Sequence, residues 1–112
     1  METTLLTIAL ILITHFVADF VLQSDYVAKN KSKSNWVLLQ HGTIYMIPFI
    51  IIISPLYGLV NAILHIAVDY FTSRATGKLW AAGKTHDFFL VIGFDQLLHS
   101  LTLIGTYYLL VL

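Results

Sequence analysis

Cysteine is absent from this 112-residue chain, which excludes a disulfide framework and thiolate zinc ligation together. Charge is nearly as scarce. Only 11% of residues are Asp, Glu, Lys or Arg, against about a quarter in soluble domains. The formal net charge is zero, so no bulk attraction to nucleic acid is expected. Linkers, low-complexity tracts and charge blocks are also lacking. What remains is 58% hydrophobic, and its length suits a single domain over residues 1–112. Composition therefore describes an integral membrane protein.

The apolar residues fall into four membrane-length segments, at about residues 5–22, 36–53, 56–73 and 86–112. Eighteen residues of helix span roughly 27 Å at 1.5 Å per residue, just enough for a hydrocarbon core of about 30 Å. The absence of period-two alternation argues against a barrel. The expected fold is all-α, a four-helix transmembrane bundle with a polar His/Asp interior. Ser54-Pro55 marks a tight turn between the middle segments. Polar loops are expected over residues 29–35 and 74–85, and Thr85 or Asp87 should cap the last helix. The first segment lacks the basic start and cleavage site of a signal peptide, and reads as a retained helix.

All six Lys and Arg residues lie in those two loops: Lys29, Lys31, Lys33, Arg74, Lys78 and Lys84. Four spans put both loops on one side, and short basic loops stay cytoplasmic. The termini and the Ser54-Pro55 turn then lie outside.

Against this background, four histidines and three aspartates interrupt the apolar segments. They read His15-x3-Asp19, His41, His65-x3-Asp69 and Asp95-x3-His99. A charge at the bilayer centre costs roughly 2.5–3.5 kcal/mol on insertion scales. Three aspartates would therefore cost about 8–10 kcal/mol, comparable with a typical total stability of about 5–15 kcal/mol. Residues four apart share one helix face, so each segment carries one polar stripe that must face the bundle interior. His41 shares its face with Tyr45, and Asn61 and Thr72 extend the stripe of His65 and Asp69. The first and third segments run inward and the fourth outward. The reversed order Asp95-x3-His99 therefore places every aspartate shallow and every partner histidine deep. A lower carboxylate tier beneath an upper imidazole tier is expected in the inner leaflet.

One His/Asp pair alone would more often be a satisfied polar contact than a ligand pair. Three pairs with coherent depth, plus His41, favour a divalent metal. The candidate ligands are His15, Asp19, His41, His65, Asp69, Asp95 and His99, with one or two ions. Imidazole and carboxylate donors suit zinc first, with manganese or iron as alternatives. An aspartate left off the metal (Asp19, Asp69 or Asp95) would serve as the catalytic general base. This reading gives a metal-dependent hydrolase that takes a lipid or lipid-linked substrate, including a phosphoester, from the bilayer. Arg74 is the only side chain able to offer a bidentate clamp. The alternative is a divalent-cation or proton transporter or channel subunit using the same His/Asp chain, which at this size would need a homodimer. A polar core that merely fixes helix register is the third reading.

The string His15-Phe16-Val17-Ala18-Asp19-Phe20-Val21-Leu22-Gln23 resembles the "HFxxDFxLQ" opening of the DUF3307 family, small bacterial and phage membrane proteins of unknown function. Gln40-His41, His65-Ile66-Ala67-Val68-Asp69 and Asp95-Gln96-Leu97-Leu98-His99 are similar to its later motifs. The resemblance covers about residues 12–100. It implies a multi-pass protein of the bacterial inner (cytoplasmic) membrane, and implies no reaction. The His/Asp arrangement is loosely similar to that of membrane-bound metal-dependent hydrolases, a fold-level analogy.

Overall fold

The computed structural model describes residues 2–112. Its elements are α1 (Glu2–Phe16), a π-helical turn (Val17–Val21), α2 (Asp25–Asn30), α3 (Asn35–Ile52), α4 (Pro55–Ala81) and α5 (Thr85–Leu110). No strand occurs among the described residues.

Serine starts three of these helices. Ser24, Ser34 and Ser54 each accept a hydrogen bond from the backbone N–H three residues on: Val27, Val37 and Tyr57, at 3.2, 3.4 and 3.1 Å. Each oxygen satisfies a donor that the first turn leaves without an intrahelical partner. Pro55 follows at the first position of α4, where its missing N–H costs nothing.

Residues 74–81 are helical, against the loop expected there. The stop comes at Gly83, which takes φ +73°. Its N–H donates to the Trp80 carbonyl at 3.1 Å, and that of Lys84 to the Leu79 carbonyl at 2.9 Å. This pair of bonds is a Schellman cap, and its left-handed position favours glycine. At the start of α5, neither Thr85 nor Asp87 caps. Lys84 stands at the N-cap without a side-chain bond.

Among the described residues, three helices are long and apolar enough to cross a membrane: Thr3–Val21, Asn35–Ile52 and Thr85–Leu110. α4 is the longest helix, at 27 residues, but Asn61, His65 and Asp69 reduce its apolarity.

Burial runs opposite to that of a water-soluble protein. His41, Asn61, His65, Asp69 and His99 are each 1% exposed, whereas Leu6, Ile51 and Phe71 are 71, 77 and 72% exposed. An apolar circumference around a polar interior is the pattern that hydrocarbon solvent selects.

α4 packs against both α3 and α5. The α3–α4 contact is close because of two glycines. A Cβ on Gly42 would collide with the Ile66 side chain. One on Gly58 would lie 3.0 Å from the Ile50 backbone nitrogen and 3.2 Å from the Met46 carbonyl oxygen. Small residues at such crossings let backbones approach. On the side of the polar cluster away from the basic loops, Ile11, Phe49, Tyr57 and Leu103 form a fully buried apolar layer. The Tyr57 hydroxyl donates to the Leu103 carbonyl at 2.7 Å.

Candidate metal centre

Four elements contribute the polar cluster. The π-helical turn brings Asp19, α3 brings His41, α4 brings His65 and Asp69, and α5 brings Asp95 and His99. The turn is defined by the bond from Leu22 N–H to the Val17 carbonyl, five residues back, at 2.9 Å. Such wide turns insert one extra residue into a helix and re-aim side chains, frequently at functional sites.

His41, His65, Asp19 and Asp69 form a compact group in which one ligand atom from each lies within 4.8 Å of all the others. The His41 and His65 Nε2 atoms lie 3.0 Å apart. His41 Nε2 is 3.0 Å from Asp19 Oδ1 and 3.5 Å from Asp69 Oδ2. His65 Nε2 is 3.5 Å from Asp19 Oδ1 and 3.3 Å from Asp69 Oδ2. A tetrahedron with metal–ligand bonds of 2.0–2.1 Å has edges of about 3.3 Å, and these five separations bracket that value. Protons alone do not fill the contacts, because each Nε2 has one to give and a carboxylate has none. A cation at the centre would accept a lone pair from all four atoms. These buried His and Asp side chains are therefore positioned to hold a metal ion.

A second group, Asp19, Asp95 and His99, meets the same distance condition. His99 Nε2 lies 3.1 Å from Asp95 Oδ1 and 3.2 Å from Asp69 Oδ1. The two groups thus share Asp19, and His99 reaches the second oxygen of Asp69. The His65 ring is stacked between Tyr45 and His99, with centroids at 3.9 and 4.2 Å. Stacking fixes these rings, since the outer Nδ1 atoms of His65 and His99 have no hydrogen-bond partner among the described residues.

His15 stands outside both groups. Its Nδ1 is 2.8 Å from the Tyr45 hydroxyl and its Nε2 is 2.7 Å from Gln96 Oε1. Both ring nitrogens are thereby engaged by neutral groups, although Nε2 is 3.8 Å from Asp19 Oδ2. The Gln96 amide nitrogen, Nε2, donates to Asp95 Oδ2 at 3.0 Å and Asp19 Oδ2 at 3.3 Å. This fixes the amide's orientation, so that Oε1 accepts from His15. His15 and Gln96 together orient the free oxygens of two aspartates. Spacing gave Gln96 no part, because a residue adjacent to Asp95 points off the Asp95–His99 face.

Lys31 was also missed, since a loop has no periodicity to read. Its Nζ donates to Asp69 Oδ2 at 3.0 Å, and its side chain is only 18% exposed. Arg74, the one side chain able to offer a bidentate clamp, is engaged elsewhere. It donates to Asn35 Oδ1 at 2.6 Å and lies over the Tyr70 ring.

A cavity of about 710 Å³ adjoins the cluster on the side of the basic loops. Asp19, Asp69 and Asp95 line it, whereas the histidines do not. The carboxylates thus face the cavity with the imidazoles behind them. Asp95 Oδ1 also accepts from Thr72 Oγ1 at 2.6 Å. Lys29, Lys31 and Lys33 line the cavity as well, and Phe88, Phe89 and Trp80 contribute apolar wall.

No curated protein and no solved structure matches the chain. One family does match, over residues 6–112, under the description "Protein of unknown function (DUF3307)". The geometry above is therefore that of a DUF3307 protein, the family to which this chain belongs.

Proposed function

We propose that the protein is a metal-dependent hydrolase of the bacterial inner membrane, acting on a lipid or lipid-linked substrate that enters from the cytoplasmic leaflet. In this reading α4 crosses the membrane with α1, α3 and α5, giving a four-helix transmembrane bundle with its termini outside. The six-to-zero distribution of Lys and Arg supports that orientation. The observation that carries the proposal is the cavity. Two of its carboxylates, Asp19 and Asp69, belong to the group of four convergent ligand atoms, while aromatic wall and basic lysines complete its lining.

Asp19, His41, His65 and Asp69 would hold the ion. Zinc fits their donors and tetrahedral spacing, with manganese or iron as alternatives. A bound ion would supply Lewis-acid polarisation of the scissile group and activation of water. Asp95 lies outside the four-atom group, lines the cavity, and has Thr72 and Gln96 to orient it. In this reading it would take the proton from the attacking water as general base. A transport path finds less support. The layer of Ile11, Phe49, Tyr57 and Leu103 closes the bundle beyond the cluster, and Asn61 and Thr106 bond to each other at 2.9 Å.

Elemental analysis of purified protein, followed by hydrolysis assays on phospholipids and isoprenoid phosphates, tests the reading. Near-stoichiometric metal with hydrolysis lost in Asp95→Asn is expected. Metal-free protein whose stability ignores chelator would overturn the metal centre. Metal-driven ion flux in proteoliposomes without hydrolysis would overturn the enzyme in favour of a transporter.

A further inference from the structure

The lysines of the cavity are not equivalent. Lys29 and Lys33 are exposed, whereas Lys31 reaches in and donates to Asp69 Oδ2 at 3.0 Å. That oxygen is also the one lying 3.3 and 3.5 Å from the His65 and His41 Nε2 atoms. A cation among those four ligands and the Lys31 ammonium would therefore compete for one carboxylate oxygen. Two like charges at such range repel strongly in a partly buried site.

Charge counting gives the consequence. In formal charge, with the histidines neutral, Asp19, Asp69 and Asp95 balance Lys29, Lys31 and Lys33 while no cation is bound. One divalent cation leaves the cavity two positive charges in excess. A phosphate monoester carries close to two negative charges at pH 7, and would restore neutrality. The wall formed by Trp80, Phe88 and Phe89 is apolar, and Phe89 within it is 60% exposed, so the wall continues onto the outer surface of α5. A cavity of about 710 Å³ falls within the usual range for small-molecule sites, and suits a head group with the first part of a chain.

We infer that the cavity binds a lipid with a phosphate monoester head group, and that Lys31 exchanges Asp69 for that phosphate once a cation occupies the Asp19, His41, His65 and Asp69 group. The inference rests on the metal centre proposed above and names its ligand. Cation and lipid then bind with positive coupling, and linkage makes the coupling reciprocal. Lys29 and Lys33 supply general attraction, and Lys31 the part that depends on the cation.

Trp80, in the cavity wall, provides the readout. A Trp36→Phe variant would be placed in phosphatidylcholine vesicles containing brominated phosphatidic acid, and Trp80 quenching followed with zinc alone and after chelation. At least tenfold tighter phosphatidic acid binding with zinc is expected. Lys31→Gln should reduce that zinc effect while keeping its zinc, and Lys31→Arg should restore it in full. Retention of zinc by Lys31→Gln separates loss of coupling from failure to fold. Equal quenching with and without zinc, in protein shown to contain zinc, overturns this inference alone. Equal quenching by brominated phosphatidylcholine does the same. Displacement by micromolar inorganic phosphate overturns the lipid assignment and points to a free phosphate. Protein that never binds zinc overturns this inference together with the metal centre.

Discussion

His41 of α3 and His65 of α4 bring their Nε2 atoms to 3.0 Å from one another, with the Asp19 and Asp69 carboxylates on either side. Two imidazoles set nitrogen to nitrogen can share only one proton between them, while both also face the oxygens of acceptor-only carboxylates. Their approach has a purpose if both lone pairs are directed at one cation.

Ligands and supports should therefore separate by mutation. His41→Ala and His65→Ala are expected to reduce bound metal to less than about a tenth of wild type, because each removes one of four ligands. His15→Ala should retain most of the metal and lose stability instead, since His15 bonds Tyr45 and Gln96. Metal content by elemental analysis beside a thermal melt checks this. Metal loss in His15→Ala equal to that in His65→Ala would place His15 among the ligands.

Gln96→Leu leaves Asp19 Oδ2 and Asp95 Oδ2 without their amide donor and His15 without its acceptor. Buried polar groups stripped of a partner cost about 1–3 kcal/mol. Removing such outer partners typically lowers metal affinity about 10–100-fold. A zinc titration with a competing chelator should show a weakened but present site. Unchanged affinity would mean that Gln96 does not orient the ligands.

Gly58→Val should destabilise the protein by about 1–3 kcal/mol, the usual cost of overpacking. Its Cβ would meet backbone atoms of α3, which cannot rotate away. Gly105→Ala should be neutral or mildly stabilising, because among the described residues nothing beyond its own helical turn lies within 4 Å of the new methyl and alanine is the better helix former. Unfolding in increasing detergent denaturant compares the two. Equal stability of Gly58→Val and wild type would show that the α3–α4 crossing is looser than described.

Absence of cysteine makes topology directly measurable. Lys33→Cys and Lys84→Cys are expected to react with an impermeant maleimide only from the cytoplasmic side. Leu56→Cys and Leu112→Cys should react only from outside. Labelling of Leu56→Cys and Lys84→Cys from the same side would show that α4 does not cross.

Much of the helical content was readable because hydrophobicity and helix period are local properties. Ser54-Pro55 announced its turn through chemistry contained in two residues. α4 runs past its expected end, because the apolar run stops near Ser73 while the helix continues to Ala81. Outside hydrocarbon a helix needs no hydrophobicity, and its real stop signal was the left-handed Gly83. The candidate site was legible as a set of stripes, since residues four apart must share a face. The π-helical turn at Asp19 was not legible, because one wide turn leaves no periodic trace in so short a stretch.

By itself, the sequence determined that the chain is apolar outside and polar within, and which residues form each helix's polar stripe. The physical reason is that 3.6-residue periodicity and the cost of burying charge in lipid both act along a single segment. Only the tertiary structure decided that His15 bonds Tyr45 and Gln96 outside the two groups of convergent ligand atoms, while His41 and His65 meet over Asp19 and Asp69. It alone brought Gln96 between two carboxylates and Lys31 onto Asp69. Those relations join residues distant in sequence, and depend on how each helix is rotated against its neighbours and how the loop closes over them.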